Sequence, residues 1–145
     1  MTLTDSQPTR IAFVCVQNAG RSQMATAFAE REREKRELEG SVEILTGGTH
    51  PADEVHDVVV EVMREKDIDL SNRTPQEVST DDLEACTVVA TMGCSTLSLD
   101  TSSGVDVRDW DLDDPHGRDT ERVREIRDEI ERRVVAVFDE LEADG

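Results

Sequence analysis

The stretch IAFVCVQNAGRSQMATAF, residues 11–28, changes character twice. Apolar, partly β-branched residues run up to Cys15; small and polar residues follow; Arg21-Ser22 then opens a series of apolar residues at helical spacing. This is the pattern of a strand, a tight loop and a helix, with a cysteine where the strand ends.

Working outward, the helix is expected from about Ser22 to Leu38, stopping at Gly40. VEILTGGTHP (residues 42–51) reads as a second strand broken by its glycines and proline, and ADEVHDVVVEVMREKDIDL (52–70) as an amphipathic helix. TPQEVSTDDLEAC (74–86) suggests a third helix, TVVATM (87–92) a buried strand, and VDVRDW (105–110) a fourth strand. A long amphipathic helix over about 119–142 places Val123, Ile126, Ile130, Val134, Val137 and Leu141 three and four residues apart. Strands alternating with helices imply right-handed crossovers and an α/β three-layer sandwich on a four-stranded parallel sheet. Residues 1–145 are expected to form a single domain, with 1–9 a disordered tail. In such sheets ligands bind beyond the carboxyl ends of the strands, so the loops after Cys15, Met92 and Trp110 should converge on one rim.

Composition narrows the partners. Against 34 acidic residues stand 16 basic ones, a net charge of −18, and only Lys35 and Lys66 are lysines. No nucleic acid partner is expected, since phosphate neutralisation needs a basic face. Acid excess spread along the chain with almost no lysine resembles adaptation to molar salt, where self-repulsion is screened; an ordinary acidic protein is the alternative. Without an export signal or a run of 18 apolar residues, no membrane partner is expected and the chain should be soluble and cytoplasmic. Three cysteines, Cys15, Cys86 and Cys94, do not make a disulfide framework. His50, His56 and His116 show no metal spacing with them, so neither a metal nor a cofactor is expected. His56 reads as a helix-face residue, and Trp110 either caps the site or packs at a strand end.

The loop carries the chemistry. Val16, Gln17, Asn18, Ala19, Gly20, Arg21 and Ser22 are few enough to wrap as a nest of inward-pointing amides, and the helix start adds its own free N–H groups and positive dipole. The centre suits a tetrahedral oxyanion. Gly20 permits close approach or unusual φ, Asn18 tolerates a left-handed turn, and Arg21 offers a planar fork to two oxygens. The Cys15 sulfur would lie at the bottom, where positive potential favours a thiolate aimed at the central atom of the anion, and Ser22 could donate to it. The bland alternative is a buried strand-end cysteine beside an incidental arginine, but strand, loop, Arg-Ser and helix occur here in order.

VCVQNAGRSQMA resembles the phosphate-binding loop, Cys-x5-Arg-Ser, of the low-molecular-weight protein tyrosine phosphatase superfamily. TGGTHPADEVHDVVVEVMREKDIDLSNRTPQEVS, VVATMGC and WDLDDPHG fit the same superfamily in order, so the resemblance covers nearly the whole chain. HPADEVHDVVVEVM, TMGC and GRDTERVREIRDEIERRV are more similar to its arsenate reductase branch, and the chain has no tyrosine, which phosphatases of the superfamily usually carry after the Asp-Pro.

The resemblance implies a flavodoxin-like strand order and a reaction in which Cys15 attacks, Arg21 and the loop amides hold the oxyanion, and Asp114 before Pro115 is the general acid. Asp113, Asp111 and Asp109 read as solvated charges. Thioredoxin-coupled relatives place two cysteines after the third strand; here Cys94 is present and Ser98 stands where the second is sought. Cys94 is therefore either a resolving thiol recycled by a thioredoxin-like reductant or an inert residue, in which case a small thiol could attack the adduct. Cys86 precedes the strand that Cys94 follows, and eight residues at roughly 3.3 Å each put them about 26 Å apart, so Cys86 reads as structural. The leading expectation is an arsenate reductase-type enzyme. A phosphatase hydrolysing phosphotyrosine or other phosphomonoesters through a phosphocysteine, or a non-enzymatic oxyanion-binding module, are the alternatives.

Overall fold

Alternation along Ile11–Cys15 sends Ile11, Phe13 and Cys15 into one core and Ala12 and Val14 into another, so this strand is buried on both faces. A computed structural model describes residues 9–92, 105–113, 115 and 117–144. The elements are β1 (Thr9–Cys15), α1 (Arg21–Lys35), β2 (Val42–Gly48), α2 (Asp57–Arg64), α3 (Thr80–Glu84), β3 (Val88–Met92), β4 (Asp106–Asp109) and α4 (Thr120–Asp144). All strand pairs are parallel, in the order β2-β1-β3-β4. This is the expected α/β sheet.

Cys15 pairs in register with Gly48 on one side and Met92 on the other. The chain leaves β1 for β2 on one side and reaches β3 on the other, so the strand order switches at β1 and opens a crevice beyond Cys15. One face of the sheet carries the larger core, with Met24 and Phe28 of α1, Val59 and Met63 of α2, and Ile130 and Phe138 of α4. The opposite face holds a smaller core around Leu83 of α3, Cys86, Val89 and Val105. Both faces are covered, but unequally.

Several element boundaries differ from the sequence expectation, for identifiable reasons. Thr9, expected in the tail, pairs with Val42 at the start of β1. β2 is not broken by its glycines: Gly47 and Gly48 both lie within it, and glycine is needed there because a Cβ on Gly47 would collide with Val78 and one on Gly48 would come within 2.5 Å of the Val16 carbonyl oxygen. α1 stops at Lys35, since Glu37 takes a left-handed φ of 58° and the Leu38 amide turns back to the Arg33 carbonyl. α2 ends in the same way, with Asp67 at φ 63° and the Ile68 amide returning to Met63. It also starts late, because the amides of Ala52 and His56 are given to the Gln17 and Ala19 carbonyls of the loop after β1. Residues 74–78 are not helical but form a bridge, Gly48 to Glu77, before Ser79 caps α3 by accepting from the Asp82 amide.

Arginine–carboxylate pairs tie the outer helices together. Arg36, the residue after α1, donates to Glu32, Asp139 and Glu142, and Arg31 of α1 donates to Glu131. Arg108 of β4 forks onto Glu140 and Asp106. Arg127, 7% exposed on α4, reaches the Val62 carbonyl at 2.9 Å and Glu65 at 2.7 Å, fastening α2. Among the described residues no helix is long and apolar enough to cross a membrane.

Hydrogen bonds from Arg124 and Arg127 hold the Glu65 carboxyl down from 4.5 to about 2. A depressed carboxyl contributes stability that is full above its unfolded value and is lost as pH falls through the folded one. Glu65→Gln should therefore lower the unfolding midpoint at pH 7, and the gap from wild type should close between pH 4.5 and about 2 in denaturation curves.

Candidate active site

β1 delivers Cys15 to the crevice floor, where the side chain is 3% exposed, and the loop from Val16 to Gly20 curls over it into α1. What shapes the loop is the direction of its carbonyls. The Cys15 oxygen accepts from the Thr49 amide at 3.3 Å, Val16 from His50 at 2.8 Å, Gln17 from Ala52 at 2.9 Å, and Ala19 from His56 at 3.0 Å. The Asn18 oxygen accepts from Gln23 Nε2 at 3.1 Å and the Gly20 oxygen from the Met24 amide at 3.0 Å. Every carbonyl from Cys15 to Gly20 is thus engaged outside the loop, which frees the loop amides to face the other way. The segment Thr49–His56 serves as a strap along its outside. Pro51, which has no N–H, stands between the donors His50 and Ala52.

Asn18 holds the loop from within. Its φ of 52° supplies the left-handed turn expected of it, and its fully buried side chain uses both ends. Oδ1 accepts from the Gln76 amide at 3.0 Å and Gln23 Nε2 at 3.1 Å; Nδ2 donates to Thr46 Oγ1 at 2.9 Å and Ser22 Oγ at 2.7 Å. Two N–H donors at one end and two hydroxyls at the other fix the amide's orientation. Because Ser22 Oγ already accepts from Asn18, its own hydrogen is free for the Cys15 sulfur 2.8 Å away. The Asn18 amide N–H also points at that sulfur, at 3.2 Å. Both contacts hold the sulfur at the floor of the loop.

Arg21, 9% exposed at the start of α1, donates through Nη1 to the Leu112 carbonyl at 2.9 Å. This links the loop to the segment after β4. Pro115 lies against Gly20, where a Cβ would come 2.9 Å from its Cγ. Asp114 and Cys94 lie outside the described residues, as does His116. Asp113 is engaged by Arg122, which holds its carboxyl below the ordinary range, so it stays ionised as a solvated charge.

The remaining candidates separate cleanly. Cys86 lies at the opposite end of β3 from Met92, the residue beside Cys15; burial pushes its thiol up, and its Sγ contacts the Asp82 carbonyl at 3.4 Å. Trp110 packs at the strand end, its ring 5.9 Å from that of Phe13, with the Arg133 guanidinium over the Trp110 ring at 5.9 Å. His56 is not on a helix face: it precedes α2 as its N-cap residue and sets its ring against Gly20. Thr46, Gln23, Gln76 and the strap residues escaped the sequence reading; the only trace they leave is a Gly-Gly pair followed by Thr-His-Pro. Among the described residues no three His, Cys, Asp or Glu side chains gather as a metal site.

The family model described as low molecular weight phosphotyrosine protein phosphatase matches residues 10–145. A Halobacterium salinarum protein provisionally named arsenate reductase is 72% identical over 136 residues, 94% of this chain and 95% of the relative. A Synechocystis protein named glutaredoxin arsenate reductase is 30% identical over 129 residues, 86% of this chain and 92% of that one. Among solved structures, the thioredoxin-dependent arsenate reductase of Corynebacterium glutamicum superposes with a TM-score of 0.78 at 31% identity; the match covers 97% of this chain and spans 65% of that one.

Removing the Asn18 side chain would take the acceptor from the Gln76 amide and a donor from each of the Ser22 and Thr46 hydroxyls. Asn18→Ala should destabilise the fold by about 1–3 kcal/mol in chemical denaturation. It should also weaken inorganic phosphate binding, read from the fluorescence of the single tryptophan, Trp110.

Proposed function

We propose that this chain, which belongs to the low molecular weight phosphotyrosine protein phosphatase family, reduces arsenate. The outward engagement of all the loop carbonyls carries the oxyanion chemistry, since it leaves amides, the α1 start and Arg21 to receive a tetrahedral anion above the Cys15 sulfur. The 72% identity to a halophile's protein provisionally named arsenate reductase supports arsenate as that anion.

The reaction begins with the Cys15 thiolate attacking arsenic. A sulfur–arsenic bond forms, an arsenic–oxygen bond breaks, and Asp114 gives the departing oxygen its proton. Amides of Val16 to Ser22 and the Arg21 guanidinium stabilise the charge on the remaining oxygens. A second thiol, that of Cys94, then attacks the Cys15 sulfur. The disulfide forms as the sulfur–arsenic bond breaks, its electron pair stays on arsenic, and arsenite leaves. Two thiols lose the two electrons that arsenic gains. A thioredoxin-like or small-thiol reductant restores the thiols, as the names of the Corynebacterium and Synechocystis relatives support. The family description supports a second reading, hydrolysis of a phosphomonoester by the same first step with water removing the phosphoryl group from Cys15.

Assays in molar KCl separate the two. Arsenite production with thioredoxin and its reductase should fall by roughly a thousandfold or more in Cys15→Ser, collapse in Cys94→Ser and persist in Cys86→Ser. Hydrolysis of p-nitrophenyl phosphate that is indifferent to Cys94→Ser, with no arsenite formed, selects the phosphatase instead. Full activity in Cys15→Ser contradicts both.

A further inference from the structure

We infer that Leu112 is a positioning residue for Arg21, its carbonyl holding the guanidinium in place before an oxyanion arrives; this rests on the reading of Arg21 as an oxyanion ligand. The sheet order puts β3 between β1 and β4, and all strands run parallel. The loop after β1 and the segment after β4 therefore rise on the same rim with a strand's width between them. Arg21, the first residue of α1, crosses that gap: its Nη1 donates to the Leu112 carbonyl at 2.9 Å, and the residue is buried. An untethered arginine samples many rotamers about its side-chain torsions, and an anion that has to gather it in loses affinity by that ordering. The guanidinium is planar, so a hydrogen bond at one nitrogen limits where the rest of the fork lies.

A carbonyl can hold an arginine only if it is itself held. Two residues earlier, the Trp110 amide donates to the Thr91 carbonyl at 2.8 Å and the Trp110 ring lies 5.9 Å from that of Phe13. One residue later, the Asp113 carboxylate is taken by Arg122 of α4. Between these points β4 has ended, at Asp109, and Leu112 packs its half-buried side chain against the larger core. Asp111 and Asp113, on either side of it, are exposed. A chain that runs out, in and out again about one apolar side chain takes its local orientation from that side chain. Leu112 thus ties the core to the site: its side chain is anchored in the one, and its carbonyl reaches the other. Shortening it to alanine keeps the acceptor and removes the anchor.

The test is a double-mutant cycle on inorganic phosphate binding, by isothermal titration calorimetry, with Leu112→Ala, Arg21→Ala and both together. Leu112→Ala should weaken phosphate binding about threefold to tenfold, the scale of ordering one long side chain. Leu112→Met, which refills the core, should restore it. In the Arg21→Ala background, Leu112→Ala should have no further effect. In the phosphate-free protein the order parameter of the Arg21 Nε–H, from nitrogen relaxation, should fall from the rigid range in wild type to that of a mobile group in Leu112→Ala. A general loss of stability would not single out that group. Losses that multiply, an unchanged phosphate affinity in Leu112→Ala, or an Arg21 that stays rigid in it would each overturn the assignment. Should Arg21→Ala bind phosphate too weakly to measure, the order parameter decides alone. Should Leu112→Ala fail to fold by circular dichroism, Leu112→Val carries the same test. If wild type binds phosphate and makes no arsenite, the reductase reading falls while Leu112 is still judged by the cycle. A wild type that binds no phosphate removes the oxyanion site and this assignment with it.

Discussion

The outward pull on the carbonyls of residues 15–20 is the constraint on which the rest of the site depends. A six-residue loop can point its amides at a common centre only if its carbonyls are satisfied elsewhere, because a buried carbonyl without a partner costs about 1–3 kcal/mol. Four of those partners come from the strap between β2 and α2, one from Gln23 and one from the first turn of α1. β2 has to run parallel to β1 in a register that ends at Cys15 opposite Gly48, since only there does the strap begin level with the loop. Gly48 then has to lack a side chain for the loop to lie over it.

The same dependence links the distant arginines to the site. The strap ends at His56, the residue before α2, and α2 is fastened to α4 through Arg127, Arg124 and Glu65. α4 in turn is bound to α1 through Arg31 and Arg36. In a chain of net charge −18 nearly every basic residue is an arginine, whose planar fork makes two contacts where lysine makes one. Exposed pairs of this kind contribute little singly and are weakened by salt, so the partly buried Arg127 and Arg36 matter more than the outer pairs.

Much of this was legible in the sequence because it follows from side chains. Apolar alternation in Ile11–Cys15, helical spacing after Arg21, and the Cys-x5-Arg-Ser spacing led to the sheet, its crevice and the residues Cys15, Asn18 and Ser22, which the structure brings together, with Arg21 at the start of α1. The strap was not legible, since it acts through main-chain N–H groups that any residue but proline possesses. Gly47 and Gly48 looked like strand breakers for the same reason: glycine weakens a strand locally, and only the approach of Val78 and Val16 explains its use here. The start of α2 was misjudged because the apolar pattern from Val55 onward is helical, while the backbone of 52–56 is committed to the loop. Gln23 and Gln76 gave no signal, as polar residues whose work is to hold Asn18 look like ordinary surface residues.

The proposal that the loop from Val16 to Ser22 is an oxyanion cradle built from inward amides can be tested directly. Inorganic phosphate titrated into the reduced wild-type protein in molar KCl should shift the backbone amide resonances of residues 16–22 most strongly in nitrogen–proton correlation spectra. Those of Thr49, His50, Ala52 and His56 should stay in place and exchange slowly with deuterium. Shifts centred elsewhere on the molecule, or an unperturbed loop at saturating phosphate, would contradict the account.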